Sequence, residues 1–585
     1  MARTEVGYTM RHAADPRQTP LIDTAECMFS PTAISRLQAD WPGLFREQIL
    51  GLMPVVKVGE NFHPTLGCPT KELYAMCGAI FLKEFLNLTI AEAVERYLFD
   101  TRWHYALNLV PTEVSMSHAT VERYRKLFAA NDLATDIFQK VTAALVETLE
   151  LDVSRQRLDS THVFSDMATF GRTKLMGVAI KRFLTQLKRH HRALYDALPE
   201  AFGQRYAPSQ SKLFADMAGG QKQRRQAVAE DLLFAVNRFA DEPDVVHHSS
   251  YQAMCRILHE QCTVSEDKTQ VQVRPKTGGQ VMQNPSDPDA TYDGHKGPGY
   301  QTQVAETCSP DNDAQLITGV EVEPAHESDQ NAVAPMLDQL DQHGRKPQAL
   351  YADGGYGRDE NVAEAEKRGV DLQSPVGGPP RQDPGEGELT VDDFVIDEAT
   401  ETVQRCPNGC EPASSTHDAD KGVTETEMPA SACGGCEFYP QCPVRKIRGR
   451  YVLRHTAAQR RLAARRAEQA TEAFRESYRI RSGGESVNSG LKRRMGMGRV
   501  RTRGQPRVRM AVVLRCAGWN VLRALAALKK RGIRDFRALA GGFWRHFVPP
   551  SRRPGLLRSL ADLCRRFLAD FSPGAAPKLT SSRTF

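Results

Sequence analysis

Two aspartates stand at the ends of short apolar runs and are followed at once by small or turn-forming residues. One is Asp159, in the run Arg157-Leu-Asp-Ser-Thr-His-Val163; the other is Asp353, in Ala349-Leu-Tyr-Ala-Asp-Gly-Gly-Tyr-Gly357. A carboxylate at the end of a strand in an α/β protein faces the edge of the sheet where ligands bind. A lone aspartate there is better read as a turn cap or helix N-cap. Two of them suit a different chemistry, in which paired carboxylates hold divalent cations ~3.5 to 4 Å apart, one at the attacking and one at the leaving oxygen of a phosphodiester. Downstream, Tyr478, Arg481, Glu485 and Lys492 follow the spacing Tyr-x2-Arg-x3-Glu-x6-Lys. At 100° per residue they fall at about +20°, −40°, 0° and −20°, on one face of a helix if a single helix carries all four. A carboxylate flanked by two cations and a phenol can ligate a metal while its neighbours grip phosphates; a solvated face with Arg/Glu pairs has the same spacing. Gly483, Gly484 and Gly490 interrupt this stretch, each costing up to ~1 kcal/mol relative to Ala inside a helix, so the helix bearing Glu485 is expected to start at Ser482 or to break there.

Five of the thirteen cysteines lie between Cys406 and Cys442, as Cys406-x3-Cys410 and Cys433-x2-Cys436-x5-Cys442. A Cys-x2-Cys knuckle with further thiols on either side fits a tetrahedral structural zinc site, with unpaired loop cysteines as the plain alternative. Such a closed site leaves no open coordination position for catalysis, and His417 is the only histidine within the cluster. His162 reads as a strand histidine turned to the far side of the sheet rather than a proton shuttle. Cys308, Cys516 and Trp519 read as core residues. The run of Arg493, Arg494, Arg499, Arg501, Arg503, Arg507 and Arg509, with Gly498 and Gly504 among them, suits a loop that wraps a DNA backbone.

The elements that must position these groups are legible in outline. Residues 1–150 read as helical, with apolar residues at helical spacing from Pro69 to Leu98 and a capped helix from Ser117 to Leu127. Arg123, Arg125 and Lys126 on that helix would face phosphates if it read DNA in a helix-turn-helix. Strands are expected at Arg157–Val163, Tyr300–Glu306, Leu316–Val322 and Ala349–Asp353. Helical patterns cover residues 176–260, Asp329–Gln342, a helix starting near Asp359, and Thr456 to about Ile480. Strand, turn, helix and strand in this order indicate an α/β core with some parallel strands. No internal repeat of 20 to 50 residues is present.

The whole chain bounds the partners. Its 585 residues exclude a single small module, and 41% hydrophobic with 25% charged residues places it among ordinary globular chains. No stretch approaches the ~18 to 20 uninterrupted apolar residues of a membrane span, and the polar N-terminus lacks a signal peptide's apolar region, so a cytoplasmic protein without a membrane partner is expected. The net charge of +6 hides a polarised chain: residues 443–585 hold 35 Lys/Arg against 7 Asp/Glu, a net +28, while the remainder holds 42 against 64, a net −22. A basic quarter on an acidic body is the asymmetry expected when one end meets a polyanion.

With these residues in place, the sequence resembles the DDE transposases of bacterial insertion sequences, in the group marked by the Tyr-Arg-Glu-Lys signature. Pro285-Ser-Asp-Pro-Asp-Ala290, Gly299-Tyr-Gln301 and Lys492-Arg-Arg-Met-Gly496 add to the likeness, which runs from about residue 40 to 530. The resemblance implies an α/β, ribonuclease-H-like catalytic core with an N-terminal all-α domain, a helical insertion and a zinc-knuckle-like insertion. It implies Asp159, Asp353 and Glu485 as the catalytic carboxylates holding two Mg (or Mn) ions. Tyr478, Arg481, Lys492, Arg493, Arg494, Arg499, Arg501 and Arg503 would hold DNA phosphates. Cysteine-rich insertions of similar transposases point to Cys406, Cys433, Cys436 and Cys442 as structural zinc ligands, with Cys410 as spare or substitute. The expected division is a helical, DNA-binding domain over 1–150, the first part of the core over 151–400 with the helical insertion at about 176–260, the cysteine-rich insertion over 401–450, the last part of the core over 451–530, and a basic tail over 531–585. The activity so implied is cleavage at the element's ends and strand transfer into target DNA, by a homodimer on double-stranded DNA associated with the bacterial nucleoid. A metal-dependent nuclease without strand transfer, and a non-catalytic DNA-binding descendant, are the alternatives.

Overall fold

The computed structural model describes residues 10–14, 16, 29–111, 114–207, 213–214, 219–376, 389–397 and 399–539; most of the basic tail expected over 531–585 lies outside them. Helices α1 (Leu73–Phe85), α2 (His118–Ala130) and α3 (Leu133–Leu149) precede the first strand. Glu72 caps α1 by accepting from the amides of Tyr74 and Ala75, and Ser117 caps α2 through Thr120 N, each satisfying an orphan donor of a first turn. Apolar residues surround nearly the whole of α1, and it is buried almost all round.

The central sheet is built from β1 (Arg155–Val163), β2 (Thr291–Asp293), β3 (Gly297–Thr307), β4 (Ile317–Pro324), β5 (Ala349–Ala352) and β6 (Asp371–Gln373). Its order is β2-β3-β1-β5-β6, with β4 also paired to β3. β1 runs antiparallel to β3 and parallel to β5, and β5 runs parallel to β6. This is a mixed α/β sheet, as the order of strand and helix patterns predicts. Both faces are covered: Val304 of β3 belongs to one apolar cluster and its neighbour Ala305 to another, the alternation that a pleated strand imposes. The first cluster joins α1 to α3 with the sheet and with α12 (Gln505–Lys530); the second packs α7 (Val333–Gln342) and α8 (Asp359–Lys367) on the other face. Over an 18-residue window α12 has a mean hydropathy of 1.4, enough by length and composition to cross a membrane, where the sequence reading expects no such stretch; 78% of that window is buried against the rest of the protein.

Two further cores stand apart. Between β1 and β2, helices α4 (Arg172–His190), α5 (Gln221–Arg238) and α6 (Ser249–Gln261) enclose their own apolar cluster. After β6, strands β7 (Ser414–Asp418), β8 (Val423–Met428), β9 (Arg445–Ile447) and β10 (Arg450–Thr456) form a four-stranded antiparallel sheet, beside a small cluster that includes four of the cysteines.

The long helix expected from Thr456 to about Ile480 is instead α9 (Ala457–Gln469), α10 (Glu472–Tyr478) and a 3-10 turn over Arg479–Ser482, followed by α11 (Gly483–Arg493). Thr471 makes the first break by turning its hydroxyl onto the amide of Phe474 and starting a new helix. The expectation that α2 presents Arg125 to phosphates is also corrected: Arg125 is buried, donating to Glu122 (2.7 Å) and to Thr502 (3.4 Å).

Candidate active site

The register of β1 on β5 places the two aspartates side by side. Leu158 lies opposite Ala352 in the parallel pair, so Asp159 and Asp353 are the next residues of two neighbouring segments, Asp159 in the middle of β1 where its parallel pairing stops and Asp353 just past the end of β5. Arg481 spans them: its Nη2 is 3.4 Å from Asp159 Oδ1 and 3.5 Å from Asp353 Oδ2. Burial raises the Asp159 pKa above the usual carboxylate range, Arg481 and the Ser160 amide pull it down, and the carboxylates of Asp353 and Asp329 push it up again. Asp353 is fixed from both sides, since Gly355 N donates to its Oδ1 (2.8 Å) and Ser374 Oγ donates to its carbonyl.

The four-residue signature does not lie on one helix. Tyr478 ends α10, Arg481 sits in the 3-10 turn, and only Glu485 and Lys492 share α11. The Tyr478 hydroxyl donates to the carbonyl of Ala352 (2.9 Å), the residue before Asp353, and its ring stacks on Phe474. Arg481 reaches the aspartates because the turn that carries it is tied to β1. Arg157, two residues before Asp159 on the same face of the strand, donates from Nη1 to the carbonyl of Ile480 (3.0 Å) and from Nε to Glu306 on β3 (2.9 Å). Burial pushes Glu306 up to about 6 despite the neighbouring guanidinium.

Glu485 is exposed and has no hydrogen bond or ion pair among the described residues. The reason is rotational. α11 turns Gly484, Val487 and Leu491 inward, and Asn488, on the same stripe, donates to Asp159 Oδ2 (3.1 Å) and to the carbonyl of Ser160 (3.3 Å). Glu485 lies about 100° away from Gly484. The glycines that look like helix breakers are what bring α11 so near. A Cβ on Gly484 would lie 3.4 Å from Asp159 Oδ2, and one on Gly483 would lie 2.0 Å from Arg157 Nη1.

Two groups at the site carry no mark in the sequence. Asp329 accepts at Oδ1 from Gln301 (2.7 Å) and Gln303 (2.9 Å) and at Oδ2 from Ser160 Oγ (3.3 Å). Tyr356, fully buried, donates to Gln303 (2.5 Å), extending the chain of hydrogen bonds to the loop after Asp353. In sequence Asp329 looks like any acid at a helix start; Asn488 is betrayed only as a polar residue on an apolar stripe. His162 points away, its Nε2 3.4 Å from the Pro298 carbonyl, and burial holds its pKa below the ordinary histidine value. Cys308 and Cys516 are buried, as expected.

The basic residues leave α11 toward α12. Lys492, Arg493, Arg494, Arg499, Arg501 and Arg503 follow one another along this stretch. Arg499 and Arg503 tie the loop to Met167 O (3.4 Å) and Asp166 Oδ2 (3.2 Å), and Arg507 and Arg509 pair with Glu122 (3.5 Å) and Glu321 (2.6 Å). The side chains of Lys492, Arg493, Arg494 and Arg501 have no hydrogen bond or ion pair among the described residues.

For a divalent ion the donor set fits in part. Asp159 and Asp353 converge on one guanidinium nitrogen, so one cation can touch both carboxylates, but among the described residues no three His, Cys, Asp or Glu lie close enough together to hold a metal ion. The five clustered cysteines, Cys406, Cys410, Cys433, Cys436 and Cys442, all line one small cavity of about 20 Å³, with Asn408 Nδ2 3.7 Å from Cys436 Sγ. Burial pushes Cys433 up to about 11, and the other four thiols add to the shift.

Residues 405–525 match the family model described as "Transposase DDE domain". That span holds Tyr478, Arg481, Glu485, Lys492 and the cysteine cluster, but neither aspartate. No curated protein matches the chain. Among solved structures, the chain pairs with the cryo-EM structure of a piggyBac transposase synaptic complex with hairpin DNA, at 10% identity over 95% of this chain and 88% of that one, with a TM-score of 0.28.

Proposed function

We propose that the protein is a DDE transposase that cuts DNA at the ends of a mobile element and joins those ends to target DNA. The observation that carries this reading is the placement of Asp159 and Asp353 side by side on adjacent parallel strands under one arginine, in a chain of which residues 405–525 resemble a transposase DDE domain. The mixed sheet, with the first aspartate on β1 and the second after β5, agrees with a ribonuclease-H-like core. Asp159 and Asp353 would hold the divalent ions, Mg or Mn, with Glu485 as the third carboxylate once α11 turns it inward. Bound there, two such ions supply Lewis acidity at the attacking and leaving oxygens of a phosphodiester. The protein's own groups bind and orient: Arg481 sits where negative charge gathers, and Lys492, Arg493, Arg494 and Arg501 present free cations to the DNA backbone on either side. Although, among the described residues, no three of its thiols stand close enough together to hold a metal ion, the cysteine cavity would close on one structural zinc, with Cys406, Cys433, Cys436 and Cys442 as ligands and Cys410 in reserve. A homodimer that holds two DNA ends completes the proposal.

The test is a cleavage and joining assay with purified protein, Mg²⁺ and a fragment holding the coding locus and its flanks. Nicks at paired inverted ends, with joined products, are expected, and Asp353→Ala should reduce both by at least about a thousandfold, as loss of a metal-holding carboxylate does. Cutting with 3′-hydroxyl ends but no joined product would assign a nuclease instead; activity that survives Asp353→Ala would remove the carboxylate assignment altogether.

A further inference from the structure

The first turns of α4 and α5 face one another across an open cleft of about 320 Å³ whose lining includes Arg172, Thr173, Lys174, Arg224 and Arg225 and, among the described residues, no carboxylate. Arg172 donates to neutral acceptors only: Gln261 Oε1 (2.6 Å), the Arg274 carbonyl (2.8 Å) and the Gln261 carbonyl (3.0 Å). Arg224 donates to the carbonyl of Gly219 (2.8 Å), Arg225 reaches Thr173 Oγ1 at 3.5 Å, and the Lys174 ammonium lies over the Phe170 ring. None of the four cations has an ion-pair partner among the described residues. In the same helical unit Arg192, Arg205, Arg238 and Arg256 do pair, with Asp196, Asp231, Glu242 and Glu260. Burial and the nearby charge of Arg225 both pull the pKa of Arg172 below its ordinary value, the mark of cations held together without a counter-charge. The cap positions of the two helices are Gly171 and Gly220, whose lack of a side chain leaves the first-turn amides uncapped and adds partial positive charge to the same cleft.

This cleft is linked to the candidate active site. The loop that carries Arg499, Arg501 and Arg503 is bonded to the segment just before α4, through Asp166 N to the Thr502 carbonyl (3.0 Å) and Arg503 to Asp166. Arg182, further along α4, feels the charge of Arg503. We propose that the cleft grips successive backbone phosphates of the DNA that leaves the Asp159–Asp353 site, so that the helical insertion is a second DNA contact; the proposal rests on the transposase reading for its choice of DNA as the polyanion. Cations grouped without carboxylates recognise phosphate, and a duplex supplies phosphates in series.

The test is DNA binding by the full chain, followed by anisotropy of a labelled duplex of a few tens of base pairs across a salt series. Lys174→Ala with Arg225→Ala is expected to weaken binding about tenfold at 0.1 M salt and to lower the slope of log affinity against log salt by about two, one for each lost phosphate contact. Arg225→Lys, which keeps the charge, should retain the slope contributed by that position. Lys188→Ala with Arg189→Ala, at the far end of α4, should leave affinity and slope unchanged. A wild-type slope in the Lys174/Arg225 variant overturns the proposal. So does a variant that loses thermal stabilisation by inorganic phosphate while binding DNA normally, which would make the cleft a site for a small free anion. A wild-type chain that binds no DNA overturns both this inference and the transposase reading, whereas one that binds with the expected slope yet never cuts or joins ends removes only the latter.

Discussion

At the scale of single residues, the site sets carboxylates against one another and then restrains them with arginines. Asp159 sits among Asp353 and Asp329 with its pKa raised by burial and by those charges, so the fold holds its ionised form at a cost in stability relative to the unfolded chain. Asp159→Asn should therefore abolish cleavage while raising the melting temperature by a few degrees, the exchange of stability for function found where like charges are gathered; an unchanged or lower melting point in differential scanning calorimetry would contradict the strain assigned to it. Glu306 gives the pH dependence. Its folded value of about 6 stands above the ordinary 4.5, so the proton it holds contributes stability that is complete below 4.5 and disappears as pH rises through about 6. Denaturant midpoints measured through that window should fall with pH in the wild type relative to Glu306→Gln, which lacks the titration. A difference between the two that is flat with pH would mean that Arg157 keeps Glu306 ionised throughout.

Elements position these residues by close approach, and glycine sets the distance. Gly490 of α11 lies against the ring of Trp519 on α12, where an added Cβ would fall 2.3 Å from Cη2. Helix propensity alone says that alanine gains up to about 1 kcal/mol there, while overpacking a filled contact costs about 1 to 3 kcal/mol. Overpacking outweighs the gain in propensity, so Gly490→Ala should destabilise in urea unfolding, and a stabilised variant would show that the Trp519 ring swings aside at little cost. The same close approach explains the corrected signature. A continuous helix through Tyr478 and Lys492 would put Arg481 and Glu485 on one face; the 3-10 turn over Arg479–Ser482 lets Arg481 enter from its own direction while α11 closes on β1 through Gly483 and Gly484.

Across the whole molecule, the N-terminal helices are fastened to the basic loop from beneath. Arg515 of α12, 1% exposed, donates to the Gly496 carbonyl (2.6 Å) and to Asn87 Oδ1 (2.9 Å) and pairs with Glu84 of α1 (3.3 Å). Burial alone would raise Glu84, but Lys83 and Arg515 hold it down at about 2. Removing one partner of such a buried set leaves charge uncompensated, at a cost of about 3 to 5 kcal/mol. Arg515→Met should lose that much in denaturant unfolding and should speed hydrogen exchange in the Gly496–Gly504 loop ahead of the rest of the chain; exchange that rises evenly everywhere would reduce Arg515 to a general core residue.

The sequence by itself determined the aspartates, the strands that carry them and the division of charge. Asp159 and Asp353 are readable because an acid set against a short apolar run and followed by small or turn-forming residues is a local pattern, written in consecutive residues. The helical unit between β1 and β2 and the mixed α/β order are readable for the same reason, since periodicity is local. Which acids meet was decided by the tertiary structure. Asp329 and Gln303 arrive from other elements, joined to the site only by the register of β3 on β1 and the packing of the turn before α7. The rotation of α11, which brings Asn488 rather than Glu485 to Asp159, depends on where that helix starts and how closely Gly484 lets it approach. The compensation of charge was decided there too. Arg192, Arg205, Arg238 and Arg256 meet a carboxylate in the helical unit while Arg172, Lys174, Arg224 and Arg225 meet none among the described residues, because ion pairing depends on which side chains face each other in space, and spacing along the chain fixes that only within a helix.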